Sequence, residues 1–189
     1  TAWEITYTDA DGDGRADEAT DESWGGPPLT IEYDFAGHTA TVTDRRGHPW
    51  QYQHNPTGQL VRFEDPTGAA TGYVVDSEGL VTKVTAPLGR VTAIVYETGG
   101  ENGSDRRARG NVLSVSVTAD SRGDNGSAHT LTTTYEYEGY ANQPTLLTDP
   151  RGAVTKIVRN EVGLPTEVTE AFGAPEAGTT KTAYNAYGQ

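Results

Sequence analysis

The sequence contains neither cysteine nor methionine in its 189 residues. Without Cys there is no disulfide framework, no thiol chemistry and no zinc–thiolate site, a composition compatible with export. Without Met there is no initiator, the chain opens at Thr1 and no signal peptide is visible, so the expectation is a processed or excised piece of something longer. Long apolar runs are missing too. The longest is Ala93-Ile94-Val95-Tyr96, far short of a bilayer span. Basic charge is scarce, with 14 Lys+Arg against 27 Asp+Glu and a net charge of −13. Such a surface repels phosphate backbones and argues against a nucleic-acid partner. Apolar bulk is scarce as well: Leu, Ile, Val and Phe together number 31. Low apolar content with high net charge is the composition of a disordered chain, unless pattern says otherwise.

Pattern does say otherwise. With Gly37, Gly58, Gly79, Gly110, Asn142 and Gly163 set as position zero, the steps 37 to 58, 58 to 79 and 142 to 163 are each 21 residues. The steps 79 to 110 and 110 to 142 are longer by 10 and 11. Ten residues after zero stand Gly47, Gly68, Gly89, Gly152 and Gly173, with Asp120 breaking the series. Five residues after zero stand Val42, Phe63, Val84, Val115, Leu147 and Val168, all apolar. Three residues before zero stand Asp34, Asn55, Asp76 and Asn160, and Asn185 before Gly188 opens another unit. A fixed period of this length is the mark of a repeat architecture.

Asp or Asn at the first place and Gly at the fourth is the preference of a type I turn, in which a side-chain acceptor starts the turn and a flexible residue leaves it. Asp34-Phe35-Ala36-Gly37 and Asp76-Ser77-Glu78-Gly79 fit. So do Asp65-Pro66-Thr67-Gly68 and Asp149-Pro150-Arg151-Gly152, where Pro presets the second position; Ala86-Pro87-Leu88-Gly89 is a weaker copy. Between turns lie segments of normal strand length, rich in Thr, Val and Tyr, such as Leu80-Val81-Thr82-Lys83-Val84-Thr85. Thr occurs 28 times, and β-branched residues suit a pleated, half-buried surface. No useful stretch carries helical periodicity. The expected fold is all-β: successive antiparallel hairpins that stack into one long twisted or spiralling sheet, since a single unit buries too little to stand alone.

Tyr33-Asp34-Phe35-Ala36-Gly37 followed by Val42-Thr43-Asp44-Arg45-Arg46-Gly47 resembles the RHS or YD repeat, whose pattern is Y-D-x-x-G-x-L-x-x-V-x-D-P-x-G. Asp149-Pro150-Arg151-Gly152-Ala153-Val154-Thr155 and Tyr184-Asn185-Ala186-Tyr187-Gly188-Gln189 are similar to it as well. The resemblance covers roughly residues 29–189, about six repeats, with degenerate copies where His54-Asn55 and Val75-Asp76 replace Tyr-Asp. It implies a hairpin sheet that spirals into a hollow shell, as in polymorphic toxins, the C component of Tc toxins and teneurins, or a part in adhesion. In bacterial members the shell encloses a toxic C-terminal domain. Toxin shells often close with a self-cleaving carboxylate site in a terminal core region, and no such region is found here; each Asp-Pro-x-Gly sits at its repeat register.

Residues 1–28 stand apart, as a strand at Trp3-Glu4-Ile5-Thr6-Tyr7 and an acidic loop over residues 9–21. Asp9, Asp11, Asp13 and Asp17 occupy loop positions 1, 3, 5 and 9, with Gly14 at position 6, the ligand spacing of a Ca²⁺ loop of the EF-hand type. Arg15 would offer its backbone carbonyl and turn its side chain away. Position 12, normally a bidentate Glu, is Thr20, with Asp21 one place late and Glu18 two early. With a strand before it and no flanking helices, the loop is similar to Asp-rich calcium loops of extracellular bacterial proteins. The other reading is a solvated acidic linker; mutual repulsion of so many carboxylates favours a cation.

His38, His48, His54 and His129 are scattered and read as surface or strand residues. Ser, Asp and His occur without any G-x-S-x-G or comparable setting, and the Asp in nearly every turn makes carboxylate pairs uninformative. The expectation is therefore no enzyme. Insertions near 98–109 and 119–127 are rich in Gly, Asn, Ser and charge and read as exposed loops. The first holds Arg106, Arg107 and Arg109, the only basic cluster, suited to a mobile loop, an acidic partner or processing. Asn102-Gly103-Ser104 and Asn125-Gly126-Ser127 match the N-glycosylation sequon and equally a turn. Tyr135 and Tyr137 alternate on one strand face, which favours packing on the next hairpin over a sugar platform with Tyr140.

The sequence thus reads as a non-catalytic architectural stretch of a secreted or cell-surface bacterial protein. First comes the wall of a shell around a toxin cargo. An adhesive or fibre-forming repeat protein, pairing with further repeats or copies of itself, comes second. A carbohydrate-binding module or hydrolase engaging a cell-surface glycan is a distant third. A transmembrane segment is not expected.

Overall fold

The architecture follows from where the chain can turn. In the computed structural model, which describes residues 5–10, 12, 14–21, 27–98, 110–119, 129–138, 142–185 and 187–188, the described residues form strands and turns and no helix. They fall into two compact units, Thr1–Leu88 and Gly89–Gln189.

The first unit holds β1 (Ile5–Thr8), β2 (Glu18–Asp21), β3 (Leu29–Asp34), β4 (Thr39–Thr43), β5 (Pro49–His54), β6 (Leu60–Glu64), β7 (Ala70–Val75) and β8 (Val81–Thr85), each antiparallel to the next. The second holds β9 (Val91–Tyr96), β10 (Val112–Thr118), β11 (Thr130–Tyr137), β12 (Pro144–Thr148), β13 (Val154–Arg159), β14 (Pro165–Glu170) and β15 (Gly178–Lys181), paired in the same way. Strand order equals chain order within each unit, the meander expected when every connection is a tight turn.

Six turns share one construction. In Asp44–Gly47, Asn55–Gly58, Asp65–Gly68, Asp76–Gly79, Asn160–Gly163 and Asp149–Gly152, the Gly N–H donates to the first residue's carbonyl, and the first residue's N–H donates to the carbonyl just after the Gly, all at 2.8–3.2 Å. The Gly lies at φ between 81° and 88°. This is a type I turn followed by a left-handed residue in a G1 bulge, which matches the twist of the strands it joins. The side chain of the first residue adds two further bonds. Asp65 Oδ1, for example, accepts the N–H groups of Thr67 (2.8 Å) and Ala69 (3.0 Å). Asp149 does the same for Arg151 and Ala153 at 2.8 Å each. Asp and Asn are chosen here because their short acceptors reach the backbone two and four residues on.

Two turns depart from the sequence expectation. In Asp34–Thr39 the left-handed residue is His38 (φ 54°), one place beyond Gly37, so the loop is a residue longer than the type I reading. Gly37 N–H donates to Asp34 Oδ1 at 3.0 Å, and a Cβ added at Gly37 would push the Asp34 carboxylate aside. In the second unit the turn is closed by Glu97 instead of an Asp or Asn. Glu97 N–H donates to Asn111 O (2.8 Å) and Gly110 N–H to Glu97 O (3.2 Å), with residues 98–109 between them. Insertion 119–127 departs from the end of β10, where the Ala119 N–H donates to His129 O at 3.1 Å.

Because side chains alternate along a strand, register sorts the residues onto two faces. One face of the first unit carries Ile31, Val42 and Trp50 in one cross-strand row and Tyr33, Ala40, Tyr52, Phe63 and Thr71 in the next, with Tyr73 opposite Val84. Phe63 stacks on Trp50 (centroids 5.6 Å, 20°) and tilts against Tyr52 (5.2 Å), contacts worth about 0.5–1.5 kcal/mol each beyond the area covered. The opposite face carries Glu32, Thr41, Gln51 and Glu64, then Thr39, Gln53 and Arg62. In the second unit the rows Ile94–Val115–Thr133, Tyr135–Leu147–Thr155 and Ile157–Val168–Thr180 line one face. Hydroxyl pairs Ser116–Thr132 (2.9 Å), Thr118–Thr130 (2.8 Å) and Thr169–Thr179 (3.0 Å) line the other. Every residue five places after zero thus falls on the apolar face of its unit.

Candidate functional site

The acidic loop between β1 and β2 is organised by its own backbone. Asp9 Oδ1 accepts the Gly12 N–H at 2.7 Å and Asp9 Oδ2 the Gly14 N–H at 2.8 Å, with both glycines at positive φ (78° and 87°). Asp17 Oδ2 accepts the Ala10 N–H at 2.7 Å, while the Asp17 N–H donates to Thr8 O at 2.8 Å and closes the loop base. Arg15 turns its guanidinium onto the aromatic pair of the β3–β4 hairpin, 4.5 Å from the Phe35 ring centroid and 5.7 Å from that of Tyr33. Asp11 and Asp13 lie outside the described residues. Asp21 is placed through its backbone, opposite Ile5 in β1. Among the described residues no group of three or more His, Asp or Glu side chains is gathered for a metal.

Nothing in the sequence singled out the ground beneath Arg15. Tyr33 and Phe35 lie nearly parallel, 5.9 Å apart at 15°, and stay 37% and 55% exposed. Ala40 is flanked across the strands by Tyr33 and Tyr52, and its small side chain leaves a hollow of about 300 Å³. Its walls include Arg15, Phe35, His38, His54 and Asn55. The hollow is assembled across β3, β4 and β5, with Phe35 and His38 in the turn between the first two, so no single stretch of sequence announces it.

The other singled-out residues have structural roles. His48 Nδ1 lies 3.1 Å from Asp44 Oδ2, and Asp44 Oδ1 accepts the N–H groups of Arg46 and His48. These bonds, that from the His48 backbone foremost, hold the Asp44 carboxyl below its ordinary value. Asp65 is lowered in the same way, chiefly by the Thr67 hydroxyl. Tyr135 faces Leu147 across β11 and β12, and Tyr137 donates its hydroxyl to Val112 O at 3.1 Å. Burial raises the Tyr137 phenol above its ordinary value. Arg106, Arg107, Arg109, Tyr140 and both sequons lie outside the described residues.

An unforeseen polar cluster ties two turns of the second unit together. Asn111 and Asn142 exchange side-chain amide bonds of 2.5 and 2.8 Å, and Asn111 Nδ2 also reaches Glu97 Oε2 at 3.0 Å. Asn142 sits at φ 55°, so it supplies the left-handed turn residue that Gly provides elsewhere.

No protein-family model matches the chain, and no curated protein matches it. Among solved structures it is similar to the crystal structure of TcdB2-TccC3-TEV, at 13% identity and a TM-score of 0.49 over 99% of this chain and 12% of that one. It is similar to TcdB2-TccC3-Cdc42 at 17% identity and a TM-score of 0.37, over 93% of this chain and 12% of that one. A Tc holotoxin pore from Photorhabdus luminescens is a further match, at 15% identity and a TM-score of 0.32, over 86% and 12%. The chain therefore spans 12% of the length of each of these three.

Proposed function

We propose that the chain is a non-catalytic architectural segment of a secreted bacterial RHS/YD-repeat protein, a stretch of the wall of a shell around a toxin cargo. One observation carries the reading. Among the described residues no hydrophobic side chain is buried, and Thr169, 8% exposed, is the single buried residue. A domain that folds to act alone surrounds a core; here each unit is one amphipathic layer. Such a layer leaves its apolar face open for something larger to cover. Further repeats of the same polypeptide, or the cargo, would supply that cover. Among the described residues no helix is long and apolar enough to cross a membrane.

Electron microscopy of the full-length parent protein tests the reading. A closed hollow particle supports a wall segment. An open rod or filament would replace it with the adhesive or fibre-forming alternative, and turnover of a glycan by the purified protein would overturn the non-catalytic assignment.

We further propose that the acidic loop takes Ca²⁺, held by Asp9, Asp11, Asp13, the Arg15 carbonyl, Asp17 and Asp21. The Asp9 bonds to Gly12 and Gly14 favour this, since they curl the loop before any ion arrives. The ion would neutralise the crowded carboxylates and fix the loop against the sheet.

A further inference from the structure

A groove in the second unit follows the end of β13 and is walled by β12, by the residue after β11 and by the β13–β14 turn. It holds about 660 Å³, well within the range of ligand pockets. Val158, 41% exposed, and Lys156 line it from the face opposite the Ile157–Val168–Thr180 row. Strand pairing shifts register on both sides of it, at Glu136/Tyr137 and at Val158/Arg159. Such shifts bend strands and re-aim side chains, and the groove opens between them.

The polar groups of its wall are spent except at one end. Thr145 donates its hydroxyl to Glu136 O at 3.2 Å. Arg159 gives its guanidinium to Gly163 O at 3.0 Å and to Pro144 O at 3.4 Å. The Lys156 ammonium rests 4.7 Å from the ring centroid of Phe172. That ring is carried there by a left-handed Ala171 (φ 50°) and by the Phe172 N–H bond to Val154 O of 2.8 Å. Glu167, the cross-strand neighbour of Val158, is paired with Lys181 at 3.2 Å. At the turn end stands Glu161, exposed, its carboxylate bonded to no group among the described residues. Glu138, whose Oε1 accepts the Gln143 N–H at 3.3 Å, belongs to the same wall. The charge left uncompensated in the groove is therefore negative.

An apolar floor that ends at carboxylates matches a side chain with the same two parts, the hydrocarbon stem and cationic head of Arg or Lys. The net charge of −13 draws such a partner in and turns an anionic one away. We propose that this groove docks a basic segment of a protein partner, with one Arg or Lys stem laid along Val158 and its head at Glu161 and Glu138. This goes beyond the architectural reading, which rests on the opposite, apolar face of the sheet.

An NMR titration of the intact chain tests it. The probes are three pentapeptides, acetyl-Val-X-Val-X-Val-amide, in which X is arginine, its neutral isostere citrulline, or glutamate. The arginine peptide should shift the Val158 methyl and Glu161 amide signals saturably, and the other two should bind at least roughly fivefold more weakly. Glu161→Gln and Val158→Ser should each weaken arginine-peptide binding about threefold or more. Val74→Ser should leave it unchanged, since Val74 is the equally exposed Val at the same repeat position of the first unit. Glu161 and Val158 both face solvent, so the substituted chains should fold, and unchanged amide signals away from the groove check that they do. Equal binding of the citrulline or glutamate peptide overturns the proposal. So do shifts spread evenly over the acidic surface, binding that survives both substitutions, or no binding at all.

Discussion

Gly68→Ala and Gly72→Ala, four residues apart, should move stability in opposite directions. Gly68 closes the Asp65 turn at φ 84°, and the nearest heavy atom to an added Cβ would be Glu64 Oε1 at 4.0 Å. Space is therefore not the problem; chirality is. An L-residue in the left-handed region costs roughly 1–2 kcal/mol, offset in part by the lower entropy of Ala in the unfolded chain, for a net loss of about 1 kcal/mol. Gly72 lies inside β7 opposite Arg62 and Thr85, at ordinary strand φ, and a Cβ there would meet nothing within 4 Å. Ala should gain about 0.4–1 kcal/mol at such a site. At roughly 2–4 °C per kcal/mol for a chain of this size, Gly68→Ala should lower the melting midpoint by about 2–4 °C and Gly72→Ala raise it by about 1–4 °C. The assay is thermal unfolding followed by circular dichroism in the β-sheet band. Gly68→Asn should fall between wild type and Ala, since Asn142 already occupies the left-handed position in another repeat. Equal losses at both sites, or none at residue 68, would refute the turn geometry and the repeat register with it.

Three further outcomes are expected. Asp44 and Asp65 have lowered carboxyl pKa values in the folded state against an ordinary 3.8. Their contribution is therefore complete above pH 3.8 and is lost as pH falls through the lower folded values; Asp65→Asn should flatten the acid limb of a stability–pH profile, and an unchanged limb would count against the turn bonds. Asn142→Ala should destabilise more than Asn142→Gly, because Gly loses the amide pair with Asn111 but keeps the left-handed backbone. Equal chevron or melting shifts for the two would remove backbone strain from the account. Millimolar Ca²⁺ should slow proteolysis at the acidic loop and a chelator should restore it; cleavage rates indifferent to both would dispose of the calcium proposal.

The hairpin register was legible in the sequence because one chemical need recurs at one spacing. Each sharp turn requires an acceptor at its start and a left-handed residue at its end, and few residue types qualify. That signal also placed Val42 and Phe63 on one face of the first unit, and Val115 and Leu147 on one face of the second. It faltered where a different residue can do the same work. His38 takes the left-handed position from Gly37, and Glu97 closes a turn whose Gly stands beyond an insertion, so neither matches a fixed window. The hollow over Ala40 was hidden for another reason. Its residues come from the acidic loop and three strands, and only pairing brings Tyr33, Ala40 and Tyr52 into one row. Asn111 and Asn142 were likewise joined by register across residues far apart in the chain.

The clasp formed by Glu97, Gly110 and Asn111 separates the length of a connection from the pitch of the sheet. Both closing bonds are made whether the intervening segment is a two-residue tip or the stretch 98–109. Strands on either side keep their partners, with a register shift at Val112/Ser114 of the same kind as those at Gln53/His54 and Val74/Val75 beside the short turns. A repeat built this way can accept new sequence at its turn tips while each addition leaves the pleated layer untouched. Diversity can then accumulate along one rim of the sheet at little energetic cost to the fold beneath it, as cargo is hung from a rail whose sleepers stay evenly spaced.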